Sequence, residues 1–107
     1  MDRIASYQAW LETHPGDRFA LYSLALELER AGRLEEAESR LRALLTAHPL
    51  SGPGHYRLGL VLEALGRTDD ARAAWEAGAA ALAGATEADA RRSAVEIARE
   101  LDRLDDA

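Results

Sequence analysis

The sequence contains no cysteine, no lysine and no asparagine, and it has only three prolines in 107 residues. Without cysteine there is no disulfide, no thiolate nucleophile and no zinc–sulfur site. Without lysine, a Schiff-base lysine and a phosphate-binding P-loop lysine are excluded. No hydrophobic run approaches the length of a membrane span. The first twenty residues include Asp2, Glu12 and Asp17, which is not typical of a signal peptide.

The charge balance is acidic. All thirteen basic side chains are arginines, and nineteen acidic ones give a formal net charge of −6. Nucleic acids and anionic membranes attract proteins through a basic field, so neither is an expected partner. Hydrophobic residues make up 48% of the chain, enough to bury a core, and the length fits one domain. We therefore expect a single cytoplasmic domain.

The chain repeats itself with a period of 34 residues. His14-Pro15 recurs as His48-Pro49, and Gly32-Arg33 recurs as Gly66-Arg67. Further pairs share this offset: Tyr22 and Tyr56, Leu24 and Leu58, Leu26 and Leu60, Leu28 and Leu62, Ala37 and Ala71, Leu41 and Trp75. A fixed period of this length is the signature of a helical repeat protein.

The two copies, over roughly residues 16–83, resemble the tetratricopeptide repeat (TPR) family. The first copy reads Leu21, Leu24-Ala25, Leu28, Gly32, Ala37, Leu41, Leu44 and Pro49. The second reads His55, Leu58-Gly59, Leu62, Gly66, Ala71, Trp75, Gly78 and Ala83. His55, Gly78 and Ala83 depart from the family pattern and predict a looser second copy.

Helix signals divide the chain into six segments, with prolines at helix ends and Gly32 and Gly66 in the turns. The predicted helices are 3–13, 18–31, 34–47, 54–65, 69–82 and 87–104, and the predicted N-caps are Asp17, Ser51, Thr68 and Thr86. No strand-like alternation occurs, so the fold class is all-α. The family resemblance implies a right-handed α-solenoid of about six helices. One domain then contains an N-terminal packing helix (1–15), two repeats (16–49 and 50–83) and a C-terminal capping helix with a frayed acidic end (84–107).

The outer helices are expected to cover the ends of the repeat pair. Tyr7 and Trp10 would pack the first helix on the first repeat, and Trp10 and Trp75 are both expected in the core. The apolar face of the last helix is predicted to contain Ala90, Ala94, Ile97, Ala98, Leu101 and Leu104. Its opposite face would contain Asp89, Arg92, Glu96, Arg99 and Arg103.

Helix 18–31 has a second apolar stripe formed by Phe19, Tyr22 and Leu26, spaced i, i+3 and i+7. The family resemblance implies that such positions on the first helix of each pair line a concave peptide-binding groove. The implied floor is Phe19, Tyr22, Leu26, Tyr56 and Leu60, with Ser23, Arg57, Glu29 and Glu63 as polar edges.

The residue types narrow the expected ligand. The best-known form of this groove holds a peptide's terminal carboxylate with lysine and asparagine, which this chain lacks. Tyrosine and leucine suit an apolar or amphipathic peptide or helix, with Tyr hydroxyls and Arg57 orienting it. The same apolar surface can instead pack within the stack or form a homodimer, and the sequence leaves these alternatives open.

Other residues give little sign of chemistry. His14 and His48 precede prolines at helix ends, where a histidine interacts well with the helix dipole, and His55 faces the core. Glu35, Glu36, Glu38, Asp69 and Asp70 lie early in the second helix of each repeat and are expected to stabilise its N-terminus. No catalytic constellation, metal site, cofactor site or small-molecule substrate site is indicated. The sequence thus predicts a non-catalytic adaptor or scaffold.

Overall fold

The computed structural model describes residues 2–106, and within that range it contains six α-helices and no strands. They are α1 (Arg3–Thr13), α2 (Arg18–Arg30), α3 (Leu34–Ala47), α4 (Gly52–Ala64), α5 (Thr68–Leu82) and α6 (Ala88–Asp105). The all-α prediction is confirmed, and most boundaries lie within one residue of the predicted ones. The largest difference is at α4, which begins at Gly52, two residues early, because Pro53 fits the first turn of a helix.

Two of the four predicted N-caps are confirmed. Asp17 accepts a hydrogen bond from the Ala20 N–H at 2.9 Å, and Ser51 accepts one from the Gly54 N–H at 3.2 Å. The predictions of Thr68 and Thr86 were wrong, since the N-cap residues of α5 and α6 are Arg67 and Glu87. Neither of these side chains makes a capping hydrogen bond.

The second helix of each repeat begins with an ion pair instead of a side-chain cap. Arg33 donates to Glu36 at the start of α3, and Arg67 donates to Asp70 at the start of α5. The two pairs occupy equivalent positions, 34 residues apart. Carboxylates in the first turn also interact favourably with the helix dipole, as expected from the sequence.

Gly32 and Gly66 end the first helix of each repeat in the left-handed region, with φ of 76° and 78°. After α2, the Arg33 N–H donates to the Leu28 carbonyl at 2.9 Å and the Gly32 N–H donates to the Glu29 carbonyl at 3.0 Å. The turn after α4 has the same two bonds. This is a Schellman motif, and its left-handed position favours glycine, which has no Cβ to clash with the backbone.

The chain divides into two compact units, one ending at Pro49 and one beginning at Leu50. In the N-terminal unit, α2 packs against both α1 and α3. The residues of this core are fully or almost fully buried: Leu11 of α1, Ala20, Leu21, Leu24, Ala25 and Leu28 of α2, and Ala37, Leu41 and Leu44 of α3. They are mostly leucines and alanines at helical spacing.

In the C-terminal unit, α4, α5 and α6 all pack on one another. Trp75 of α5 is fully buried, and its indole ring lies directly over Gly59 of α4, where a Cβ would overlap the ring. A Cβ at Gly78 would lie 2.8 Å from the Cβ of His55. The expectation of a looser second copy was wrong at His55 and Gly78, where the missing side chain of Gly78 lets α5 approach α4 closely.

Helix α6 covers the C-terminal unit through a narrower face than the sequence predicted. Ile97 and Leu104 are buried as expected, but Ala98 is exposed and Ser93 is buried. Ser93 belongs to the buried face because it lies against Gly52, where a Cβ would come within 2.6 Å of the serine Cβ. The acidic end of α6 is helical up to Asp105, which accepts from Arg72 of α5 at 2.6 Å.

Candidate functional site

In the N-terminal unit, the predicted binding residues of α2 form a partly open patch. Tyr22 and Leu26 are half-buried, one helical turn apart, beside the fully buried Leu21 and Ala25. The polar residues Ser23 and Glu29, expected at the edges, are also half-buried. We call the set Phe19, Tyr22, Ser23, Leu26 and Glu29 the α2 patch.

Phe19 lies at the beginning of the α2 patch and is 73% exposed. Its ring contacts Tyr7 of α1 edge to face, with ring centres 6.3 Å apart and planes at 69°. Phe19 therefore faces α1, whereas the sequence grouped it only with Tyr22 and Leu26. An aromatic side chain left this open on a helix is often an interaction residue.

Trp10 was wrongly predicted to lie in the core, and it is 49% exposed. Its indole Nε1 donates to the Asp17 carboxylate at 3.1 Å, and one ring face stacks on His14 at 3.8 Å. Leu11, the next residue, is the buried residue of α1. The 34-residue register could not reveal this, since it aligns Trp10 with Leu44, which is fully buried in α3.

In the C-terminal unit, the predicted binding residues Tyr56, Arg57, Leu60 and Glu63 lie on α4, and all four are half-buried. We call this set the α4 patch. The Arg57 guanidinium lies 6.0 Å from the centre of the Tyr56 ring, at the limit of a cation–π contact. Partial burial raises the pKa of the Tyr56 hydroxyl, and the carboxylates of Glu100 and Glu96 raise it further.

Glu63, predicted as a polar edge, is joined to α6. Arg103 donates to the Glu63 carboxylate at 2.7 Å and to Glu100 at 2.6 Å. These two acceptors hold the pKa of Arg103 above its ordinary value. Arg103 was expected on the solvent face of α6, yet its side chain reaches α4, so the edge of the α4 patch is a charged network.

The histidines occupy the structural positions that the sequence indicated. His14 and His48 are the C-cap residues of α1 and α3, and His48 Nε2 contacts the Gly16 carbonyl oxygen at 2.7 Å. His55 is buried in α4. Among residues 2–106, no group of three or more histidine, aspartate or glutamate side chains is arranged to hold a metal ion.

Comparisons with known proteins identify the fold. A family model described as tetratricopeptide repeat matches residues 55–77, which cover most of α4 and the first two thirds of α5. The crystal structure of the Sgt2 TPR domain from Aspergillus fumigatus is similar, with a TM-score of 0.70 and 20% sequence identity. The match covers 97% of this chain and 69% of that one. The chain folds as a tetratricopeptide repeat domain. The search of curated proteins finds no match.

The TPR resemblance inferred from the residues is therefore confirmed, and so is the helical-repeat fold. The two sequence copies that are 34 residues apart correspond to the helix pairs α2–α3 and α4–α5, with α1 before them and α6 after them. The fold is typical of protein–protein interaction modules. None of the helices in the described range is both long enough and apolar enough to cross a membrane.

Proposed function

We propose that this TPR domain is a non-catalytic adaptor or scaffold that binds an apolar or amphipathic peptide or helix of another protein. The binding residues are those of the α2 patch and the α4 patch. The observation that carries the proposal is the openness of the α2 patch, where Phe19 is 73% exposed and Tyr22 and Leu26 are only half-buried. The TPR fold supports the proposal, because the α2 patch and the α4 patch each lie on the first helix of a helix pair.

The side chains of the two patches suit an amphipathic segment. Tyr22 and Tyr56 combine a large apolar ring with a hydroxyl that can orient a peptide. Each apolar anchor of the ligand contributes about 1.5–3 kcal/mol on burial, before the entropy of ordering is subtracted. Two or three anchors then give reversible binding, with a dissociation constant on the order of micromolar.

The proposal places the domain in the cytoplasm, with another protein as its partner and no nucleic acid or membrane. The net charge of −6 supports this choice, since a nucleic-acid or membrane surface would repel it. No cofactor is required, because binding rests on apolar contact and hydrogen bonds alone.

The test is selection of binders from a displayed library of amphipathic helical peptides, followed by titration of the selected peptides. Tyr22→Asp and Tyr56→Asp are measured separately, so that each patch is tested on its own. We expect each variant to weaken binding at least about tenfold, because a carboxylate replaces an apolar anchor. Val95→Asp on α6 is the matched control, since Val95 is exposed and lies outside both patches.

The proposal fails if peptides bind both tyrosine variants as tightly as the unchanged protein, or if Val95→Asp is equally damaging. Circular dichroism must show unchanged helix content in all three variants.

Self-association is the second candidate, in which a second copy of the chain covers the same apolar residues. The open α2 patch favours it equally on chemical grounds. Light scattering distinguishes the two functions. A stable dimer that dissociates on Tyr22→Ala or Leu60→Ala while remaining helical supports self-association, and a monomer that binds peptides supports the adaptor.

A further inference from the structure

A second open site lies between α1 and α2, entirely within the N-terminal unit. It is a surface pocket of about 350 Å³. Its walls are three aromatic rings, one carboxylate and two small side chains: Tyr7, Trp10, Phe19, Asp17, Ser6 and Ala20. The sequence reasoning missed it, because it assigned Trp10 to the core and Phe19 to another group of residues.

The aromatic walls are held in place by contacts on the protein side. Tyr7 and Phe19 meet at 69°, so the two rings form a corner. The Trp10 ring is fixed by its hydrogen bond to Asp17 and by stacking on His14 at an interplanar angle of 6°. Pre-positioned rings lose little conformational entropy when a ligand enters.

The charge of the pocket is negative. Asp17 is the only charged residue among the six that line it, all of which belong to the described part of the chain. The Ala20 N–H and the Trp10 indole N–H both donate to its carboxylate and lower its pKa. The carboxylate is therefore ionised at neutral pH. It retains further lone pairs for a ligand, because a carboxylate can accept about four hydrogen bonds.

Aromatic rings and an anion together select one class of ligand. The faces of aromatic rings attract cations through their quadrupole, and three rings around a carboxylate suit an organic cation whose methyl groups contact the rings. A neutral apolar molecule would gain the ring contacts without the attraction to Asp17. A strongly hydrated ammonium would lose more hydration free energy on entry than a methylated one.

We infer that this pocket binds a small quaternary ammonium compound of the choline type through Tyr7, Trp10, Phe19 and Asp17. The volume of about 350 Å³ lies within the range for small-molecule pockets and leaves room for a ligand of this size. This site shares Phe19 with the α2 patch but contains neither Tyr22 nor Tyr56, so Tyr22→Asp and Tyr56→Asp test the peptide-binding proposal separately.

The experiment is a nuclear magnetic resonance titration of the full chain with choline, at constant ionic strength set with sodium chloride. The protein has two tryptophans, and their indole N–H signals report on different places. Trp10 lines the pocket, whereas Trp75 is buried in the other unit and donates to the Tyr56 carbonyl at 3.0 Å. We expect a saturable shift of the Trp10 signal and none of the Trp75 signal.

Dimethylbutanol, the neutral carbon isostere of choline, separates attraction of charge from apolar contact. It should bind about tenfold more weakly than choline, because it lacks the cation–π and carboxylate attractions. Equal binding of the two compounds, or no saturable shift with choline, would overturn the inference.

Two variants assign the residues. Phe19→Ala should weaken choline binding about tenfold, since it removes one wall. Asp17→Asn should weaken choline about threefold or more but leave dimethylbutanol unchanged, because asparagine keeps the N-cap of α2 without the charge. Val95→Ala on α6 is the control and should change neither. If a trimethyl-lysine peptide binds the pocket and choline does not, the ligand is a modified protein side chain, and the inference of a free small molecule is wrong.

Discussion

The two repeats of this domain build the same helical hairpin from differently sized side chains. In the first repeat, Ala25 of α2 stands at the position of Gly59 in α4, and Leu41 of α3 stands at the position of Trp75 in α5. All four are buried. A larger residue on one helix is thus matched by a smaller residue on the facing helix, and the volume of the pair is kept more closely than the identity of either member.

At a second pair of positions, the residue on the second helix of the repeat becomes smaller instead of larger. Leu21 and Leu44 of the first repeat correspond to His55 and Gly78 of the second, where the helices approach so closely that a Cβ at Gly78 would lie 2.8 Å from the Cβ of His55. The first repeat therefore spreads its core over several leucines. The second adds one large tryptophan to its leucines and depends on Gly59 to admit the indole ring. We therefore expect the same kind of core substitution to destabilise the two repeats by different amounts.

The largest expected effect is at Gly59. Gly59→Ala should lower the free energy of unfolding by about 2 kcal/mol, because overlap with the Trp75 ring outweighs the roughly 1 kcal/mol that alanine gains in helix propensity. The reverse change in the first repeat, Ala25→Gly, should cost only about 1 kcal/mol. Urea unfolding followed by circular dichroism measures both.

The double variant Gly59→Ala with Trp75→Leu gives the second repeat the pair found in the first. It should be more stable than the sum of the two single changes predicts, since the smaller leucine relieves the overlap. If the two substitutions are simply additive, size matching between these positions is not what distinguishes the repeats.

The next effect tests what the repeats share. Gly32→Ala and Gly66→Ala should each lower the free energy of unfolding by about 1 kcal/mol, because both positions have a left-handed backbone that alanine disfavours. Thermal unfolding of the two variants is the measurement. A large inequality between them would show that the two Schellman turns are not equivalent.

A smaller expected effect is that acid destabilises the start of α2 in the N-terminal unit more than the start of α4 in the C-terminal unit. Asp17 and Ser51 cap α2 and α4 at equivalent repeat positions, but only Asp17 titrates. Its hydrogen bonds lower the pKa of Asp17 below the ordinary 3.8. The cap is therefore fully effective above that value, and its stabilisation is lost as the pH falls through the lower, folded-state pKa.

Hydrogen exchange, corrected for the intrinsic rate at each pH, measures this difference. Amides in the first turn of α2 should lose protection in acid before those of α4. Asp17→Ser makes the two caps alike, so the difference should disappear. Equal acid sensitivity of both helices in the unchanged protein would contradict the role of Asp17.

The smallest effect concerns Arg103, which joins α6 to α4. Arg103→Gln should reduce the hydrogen-exchange protection of the last turns of α6 only slightly. The Arg103 side chain is half exposed, and exposed ion pairs contribute little to stability. Raising the salt concentration should produce the same small change in the unchanged protein. A cooperative loss of α6 on this substitution would show that the network does more than surface pairing.

Sequence periodicity predicted the fold well because repeat spacing, glycine turns and buried leucines are local features. The Gly32 and Gly66 turns and the Asp17 and Ser51 caps follow directly from residue type and position. The 34-residue period aligned Trp75 with Leu41 and so indicated burial correctly. For these features, the residues that give the sequence pattern are the same residues that form the turn, the cap or the buried contact.

The candidate site was less predictable, because exposure depends on which neighbours cover a residue. The same register aligns Trp10 with the buried Leu44, yet Trp10 is 49% exposed and its indole N–H donates to Asp17. Helical geometry grouped Phe19 with Tyr22, but did not indicate that the Phe19 ring turns towards Tyr7. Likewise the reach of Arg103 to Glu63 depends on how α6 packs, which residue spacing alone does not specify.

Two glycine contacts with α6 limit how this domain can be lengthened. Gly52 and Gly78 face α6, at Ser93 and near Ile97, so a consensus repeat grafted after α5 in place of α6 inherits two surfaces without side chains. Its first helix must supply a small residue opposite Gly52, as α6 does with Ser93, and an apolar side chain near Gly78, as α6 does with Ile97, or the modules will not join.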